Sequence, residues 1–128
     1  MPAPLILVAD DEALIRWSLK EHLEKAGYRV FEAGTGEQAL QALDGEGGGR
    51  VALVLLDYKL PDQDGIEVLK AVRRAQSSCK VIMMSAYGTA ETAAEAERLG
   101  VYRFLHKPFD YKEVVSLVGE ALAASPSK

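Results

Sequence analysis

The chain has 128 residues, 48% of them hydrophobic and 27% charged, which suits one compact globular domain. Fifteen basic against 19 acidic residues leave a formal net charge of -4, so nothing attracts the domain in general to nucleic acid or to an anionic membrane. Cys79 is the single cysteine and excludes an intrachain disulfide; with no signal peptide and no apolar run able to span a bilayer, a cytoplasmic location is expected.

The first predicted element is a strand at Leu5-Ile6-Leu7-Val8-Ala9, an unbroken apolar run. A helix follows, with Leu14, Ile15, Leu19 and Leu23 recurring every three to four residues and Gly27 at its exit. Trp17 is expected to be a partly buried packing residue on it, and His22 a surface residue. A second strand is read at Tyr28-Arg29-Val30-Phe31. The next helix carries Ala39, Leu40 and Leu43, opens on the capping-box spacing Thr35 to Gln38, and ends in Gly45 to Gly49. Val51 to Leu56 form a third strand; Ile66, Leu69 and Val72 mark a third helix, opened by Asp64 three residues before Glu67. Val81-Ile82-Met83-Met84 are the fourth strand, with Cys79 beside it as a small buried hydrophobe. A fourth helix, roughly Thr89 to Arg98, offers Ala90, Ala93, Ala94 and Ala96, with Leu99 just after it as the large apolar partner. So small an apolar area predicts a weakly anchored helix. Val101 to Leu105 form the fifth strand; Asp110 and Glu113 open a fifth helix carrying Val114, Leu117, Val118 and Leu122.

Three of the strand runs are nearly unbroken, which fits strands buried on both faces of a parallel sheet. Strand and helix alternate five times, so helices cover both faces of the sheet. Right-handed crossovers then bring every strand's carboxyl end to one edge, where such folds bind ligands. Residues 1–122 are taken as one domain, and Ala123 to Lys128 as the start of a linker.

The first strand delivers Asp10-Asp11-Glu12 to that edge, the third Asp57, the fourth Ser85 and the fifth Lys107-Pro108. Converging carboxylates repel one another unless a cation lies between them, and hard oxygen donors suit Mg²⁺. An aspartate in such a place can attack phosphorus and become an aspartyl phosphate. A lysine and a metal can offset the charge of the phosphoryl oxygens, and a serine hydroxyl can hydrogen-bond one of them.

These residues, with Leu60-Pro61-Asp62-Gln63-Asp64-Gly65 after the third strand and Lys107-Pro108-Phe109 after the fifth, resemble the receiver domain of bacterial response regulators over almost the whole chain. The resemblance implies a flavodoxin-like (βα)5 three-layer sandwich with strand order 2-1-3-4-5. It implies that Asp57 accepts a phosphoryl group from a sensor histidine kinase, and that Asp11 ligates Mg²⁺ directly with Asp10 acting mainly through water. The backbone carbonyl of Lys59 is implied as a further ligand. Lys107 pairs with the phosphoryl group, its bond to Pro108 is usually cis in this family, and Ser85 is the switch hydroxyl. The aromatic switch position falls on Phe104, where many relatives carry tyrosine. Lys59 and Tyr87, each two residues beyond a site residue, occupy positions that tune phosphate lifetime. Such a protein is a switch that catalyses its own phosphorylation and dephosphorylation, not a turnover enzyme. Its helix 4–strand 5–helix 5 surface is expected to meet a second receiver copy or an output domain beyond the C-terminus. The run from Met84 to Ala93, continued by Leu99 to Leu105, is similar to receivers of NtrC-like, sigma-54-dependent activators, which points to transcription as the output.

Other readings of the same residues are blander or fit less well. An Asp-Asp pair can be a solvated turn, Lys107-Pro108 an ordinary loop, and Ser85 a satisfied strand-end hydroxyl. Glu12 can hold metal waters or simply favour a helix N-terminus. His106 should point away from Lys107 on its strand. A haloacid-dehalogenase-type phosphatase would carry a second aspartate where Lys59 stands. A flavodoxin would need a phosphate loop where Asp10-Asp11-Glu12 would repel the phosphate. A degenerate receiver, serving only as an interaction module, would lack one of the core residues, and none is missing.

Overall fold

A computed structural model describes residues 3–43, 51–75, 79–86 and 89–124. The element order is β1 (Leu5–Ala9), α1 (Ala13–Lys25), β2 (Arg29–Ala33), α2 (Gly36–Leu43), β3 (Val51–Asp57), α3 (Gly65–Ala75), β4 (Lys80–Ser85), α4 (Ala90–Arg98), β5 (Arg103–His106) and α5 (Tyr111–Ala123). All pairings are parallel, and the order across the sheet is β2-β1-β3-β4-β5, the flavodoxin-like arrangement.

The unbroken apolar runs have a direct structural meaning. Successive side chains of a strand point to opposite faces. Leu5, Leu7, Val54, Leu56, Val81 and Met83 pack into one core with α2 and α3 residues such as Leu43, Val68, Leu69 and Val72. Ile6, Val8, Leu53, Leu55, Ile82 and Met84 pack into the other, with Leu19 and Leu23 of α1 and Val114, Leu117 and Val118 of α5. A central strand that is apolar at every position therefore serves two cores at once. The edge strands are less covered: Arg29 and Glu32 of β2 and Arg103 and His106 of β5 are exposed.

Edge strands also depart from the sequence expectation. β2 begins one residue later and extends to Ala33, and β5 covers Arg103–His106 where Val101 to Leu105 was expected. Val101 and Tyr102 still run alongside the fold: their amides donate to the carbonyls of Ala96 (3.2 Å) and Val81 (2.7 Å) before the ladder begins. Glycines 27 and 100 exit α1 and α4 with φ of 101° and 89°, the left-handed region where a Cβ is strained. The expected exit at Gly45 to Gly49 lies outside the described residues. Thr35 Oγ1 accepts from Gln38 N (3.1 Å), while Gln38 Oε1 accepts from Gly34 N (2.7 Å), one residue short of the reciprocal box. Asp64 and Asp110 cap α3 and α5 through the amides of Ile66 (2.7 Å) and Lys112 (2.9 Å).

Trp17 requires a correction: it is 59% exposed, and Leu14 is 73% exposed. Helical phase explains both. At 100° per residue, Trp17 stands about 200° around the helix from buried Leu19, and Leu14 about 140°. Leu19 and Leu23 take the core stripe, with Ile15 half-buried beside them. His22 is half-buried as well, its ring stacked on Tyr111 of α5 at 5.1 Å. Of the four alanines expected to seat α4, only Ala96 is buried; Ala93 is half-buried, and Ala90 and Ala94 face solvent. The area holding this helix is thus smaller than its composition suggests.

Candidate functional site

Five parallel strands leave their carboxyl ends on one edge, and the polar residues gather there. Asp10, Asp57 and Ser85 are the buried polar side chains among the described residues, at 0%, 5% and 2% exposure. Asp10 directly follows β1, and its amide donates to Ala33 O at the end of β2 (3.0 Å). Asp57 is the last residue of β3 and Ser85 the last of β4. Lys107 follows β5, and its amide donates to Ser85 O (2.9 Å), so the backbone of β4 carries it. The Lys107-Pro108 peptide is cis, as expected.

The lysine ammonium is the hub of this edge. Lys107 Nζ donates to Asp10 Oδ2 at 2.9 Å, Asp57 Oδ2 at 3.1 Å and Glu12 Oε1 at 3.0 Å. The second oxygens are also engaged: Asp10 Oδ1 accepts from Glu12 N (2.9 Å), and Asp57 Oδ1 from Lys59 N (3.3 Å). Glu12 occupies the N-cap position of α1 without capping it. Its carboxylate goes to Lys107, a third outcome beside the two roles weighed from sequence. Adjacency to Asp10-Asp11 was the available signal, and the sequence left its partner open.

Burial and charge act in opposite directions here. Burial, reinforced by Asp10 and only partly offset by Lys107, raises the Asp57 pKa from 3.8 to about 6. Burial works against the Lys107 charge, but its hydrogen bonds to Asp10 and Glu12 and the charges of Asp10 and Asp57 outweigh it and raise the lysine pKa. One carboxylate oxygen each from Asp10, Asp11 and Asp57 lie within 4.8 Å of one another. Three hard oxygen donors so close, two of them buried, fit a small divalent cation that retains water, as Mg²⁺ does.

A cleft of about 460 Å³ opens over the group, lined by Asp11, Glu12, Asp57, Lys59, Ser85 and Lys107 among others. The sequence-predicted residues Asp10, Asp11, Asp57, Lys59, Ser85 and Lys107 are therefore brought together, and Tyr87 lies outside the described residues. Phe104 stands apart from the cleft. Half-buried on β5, it packs against the core under α3 and α4, its ring 5.3 Å from that of His106. His106 is exposed, its ring beside Phe104 and not among the residues lining the cleft.

The family described as response regulator receiver domain matches residues 6–119. The chain belongs to that family. Among receivers of known sequence, it is 41% identical over 117 residues to sporulation initiation phosphotransferase F of Bacillus subtilis, covering 91% of this chain and 92% of that one. It is 40% identical over 124 residues to the DNA-binding transcriptional regulator NtrC of Bradyrhizobium, covering 96% of this chain but 25% of the regulator. The receiver thus spans about a quarter of the length of the NtrC proteins it matches. Among solved structures, the non-phosphorylated HemR receiver domain of Leptospira biflexa superposes with a TM-score of 0.88 at 26% identity, covering 98% of each chain. The receiver domain of NtrX from Brucella abortus superposes at 0.84 with 33% identity, covering 94% of this chain and 99% of that one. No described helix is long and apolar enough to cross a membrane.

Proposed function

We propose that this receiver takes a phosphoryl group from a sensor histidine kinase onto Asp57 in a Mg²⁺-dependent reaction, and that the modification switches the α4-β5-α5 surface. The observation that carries the reading is the cluster itself: a buried strand-end carboxylate, Asp57, held 3.1 Å from a lysine that also binds Asp10 and Glu12. A haloacid-dehalogenase-type phosphatase would need a second aspartate where Lys59 stands, and a flavodoxin a phosphate loop where Asp10-Asp11-Glu12 lie.

With a pKa of about 6, Asp57 is largely ionised at neutral pH and can attack phosphorus. One of its carboxylate oxygens forms the new P–O bond as the P–N bond of the donor phosphohistidine breaks, and the imidazole leaves with the electron pair. Asp10, Asp11, Asp57 and the Lys59 carbonyl would hold the Mg²⁺, which when bound supplies positive charge against the phosphoryl oxygens. Lys107 is already seated among three acids and can shift its hydrogen bonds to the phosphoryl group. Ser85, buried at the end of β4, supplies a hydroxyl on the same edge. A shift of Ser85 towards the phosphoryl oxygens would vacate space at the end of β4 into which Phe104 can swing. Lys59 lines the mouth of the cleft and, with Tyr87, is assigned to phosphate lifetime. Partners follow from the same reading: a histidine kinase, a second receiver copy on α4-β5-α5, and an output domain beyond Lys128 acting on transcription, in the cytoplasm. Residues 1–122 constitute the receiver, with a linker beginning near Ala123, where α5 ends.

Acetyl phosphate with Mg²⁺ tests the assignment. Intact mass should rise by one phosphoryl group in the wild type, and not in Asp57→Asn or in EDTA. Equal labelling of Asp57→Asn would refute the site. A wild type that never labels would favour the interaction-module reading.

A further inference from the structure

The loop between β3 and α3 carries Lys59, and the mechanism above uses only that end of it. Its tip is tied elsewhere. Asp62, exposed at the tip, places both carboxylate oxygens on the start of α2: Oδ1 accepts from Gly36 N at 2.7 Å and Oδ2 from Glu37 N at 3.0 Å. These are the first two amides of α2, which an α-helix cannot satisfy internally. The next amide, Gln38 N, is taken by Thr35 Oγ1. A local residue thus caps one orphan donor, and a residue 26 positions away caps the other two. The bonds from Gly36, the largest influence, and from Glu37 hold the Asp62 carboxyl below its ordinary pKa.

The fit between loop and helix is close. A Cβ on Gly36 would stand 2.5 Å from the Gln63 side chain, so the loop lies directly on the glycine. The loop's other limb closes on itself. Gly65 N donates to Tyr58 O at 2.6 Å, Lys59 bridges Asp64, and a Cβ on Gly65 would meet the Tyr58 backbone at 2.7 Å. Leu60 is buried in the core below. The segment from Tyr58 to Asp64 is therefore fixed at its base by its own backbone, in its middle by Leu60, and at its tip by Asp62.

We infer that Asp62 is a positioning residue for the metal site: by clamping the loop tip to the N-terminus of α2, it steadies the loop that carries Lys59, whose amide already holds Asp57 and whose carbonyl is the proposed further ligand. The inference rests on the Mg²⁺ reading of the site given above. Groups that orient metal ligands at one remove commonly govern affinity by about tenfold or more, and a clamp acting through a loop, one step further out, should fall at or below the bottom of that range.

The test measures Mg²⁺ affinity by calorimetry on the purified receiver, alongside thermal stability without metal. Asp62→Ala should weaken Mg²⁺ binding roughly three- to tenfold. Asp62→Asn, which keeps one accepting oxygen, should recover part of the loss. Thr35→Val removes the neighbouring cap from the same helix end without touching the loop. It should lower stability as Asp62→Ala does, yet leave Mg²⁺ affinity at the wild-type value. Unchanged affinity in Asp62→Ala would overturn the inference, and so would an equal loss in Thr35→Val, which would reduce Asp62 to an ordinary helix cap. A wild type that does not bind Mg²⁺ would instead overturn the metal site itself.

Discussion

Replacing Asp57 with Asn should stabilise the metal-free domain, and by an amount that depends on pH. The carboxylate sits at 5% exposure, and burial, with the Asp10 charge, raises its pKa from 3.8 to about 6 in spite of Lys107. At acid pH, below the unfolded value, both folded and unfolded chains carry the proton and the group is neutral to stability. Between the two values the unfolded chain ionises freely while the folded one resists, and stability drains away as pH rises through about 6. Above that the loss is complete. A displacement from 3.8 to about 6, at about 1.4 kcal/mol per pH unit, gives roughly 3 kcal/mol. Asn resembles the protonated acid in shape and carries no charge, while Lys107 keeps its bonds to Asp10 and Glu12. In EDTA at pH 8, Asp57→Asn should therefore melt higher than the wild type, by about 10 °C for a domain of this size. At pH 4 only a small part of the difference should remain. Calorimetric or circular-dichroism melts across this range check the expectation. A constant offset between the two proteins from pH 4 to pH 8 would refute the electrostatic account, because a packing effect does not titrate. Saturating Mg²⁺ should reverse the order, since the ion binds the folded wild type and cancels the repulsion.

Lys107→Ala should cost about 3 kcal/mol in metal-free buffer at neutral pH, because Asp10 and Asp57 lose their shared cation while buried; urea denaturation reads this directly. The same variant should still accept some phosphoryl group from acetyl phosphate but show a much reduced conformational change, and a full wild-type response would contradict the assigned role. Asp11→Ala should abolish Mg²⁺ binding and labelling while leaving metal-free stability equal or higher, because Asp11 is exposed and adds only repulsion to the cluster; a clear loss of melting temperature would contradict this. In NMR with and without beryllofluoride, α4 and Phe104 should shift between states, with the free protein already sampling the active form. Ala96 is the one buried residue of α4, and a Phe without a hydroxyl is held by packing alone, so a gap of about 1–3 kcal/mol is expected. Unchanged α4 shifts beside altered Asp57 neighbours would refute the switch.

Much of this receiver follows from local regularities of its sequence. Leu5–Ala9 and Val51–Leu56 are apolar at every position, and only a strand covered on both faces needs that. Once the strands are placed, parallel crossovers oblige Asp10, Asp57, Ser85 and Lys107 to share one edge, so the cluster is legible without coordinates. Positive φ at Gly27 and Gly100 could likewise be anticipated, because a helix exit there asks for a residue without a Cβ. Tertiary structure decided what depends on which partner arrives. Trp17 and Leu14 are as apolar as Leu19, yet the phase of α1 against the sheet turns them to solvent. The edge strands drifted from their apolar runs because one side of each lacks a ladder partner, so hydrophobicity no longer marks where pairing starts. Glu12 could have capped α1, and only the approach of Lys107 from the far end of the chain redirects it. Asp62 reads as one more polar loop residue until α2 is brought beneath it, 26 positions away in sequence. Periodicity and strand order are set by bonding rules that repeat along the chain, whereas these contacts depend on distances between segments that nothing local in either segment encodes.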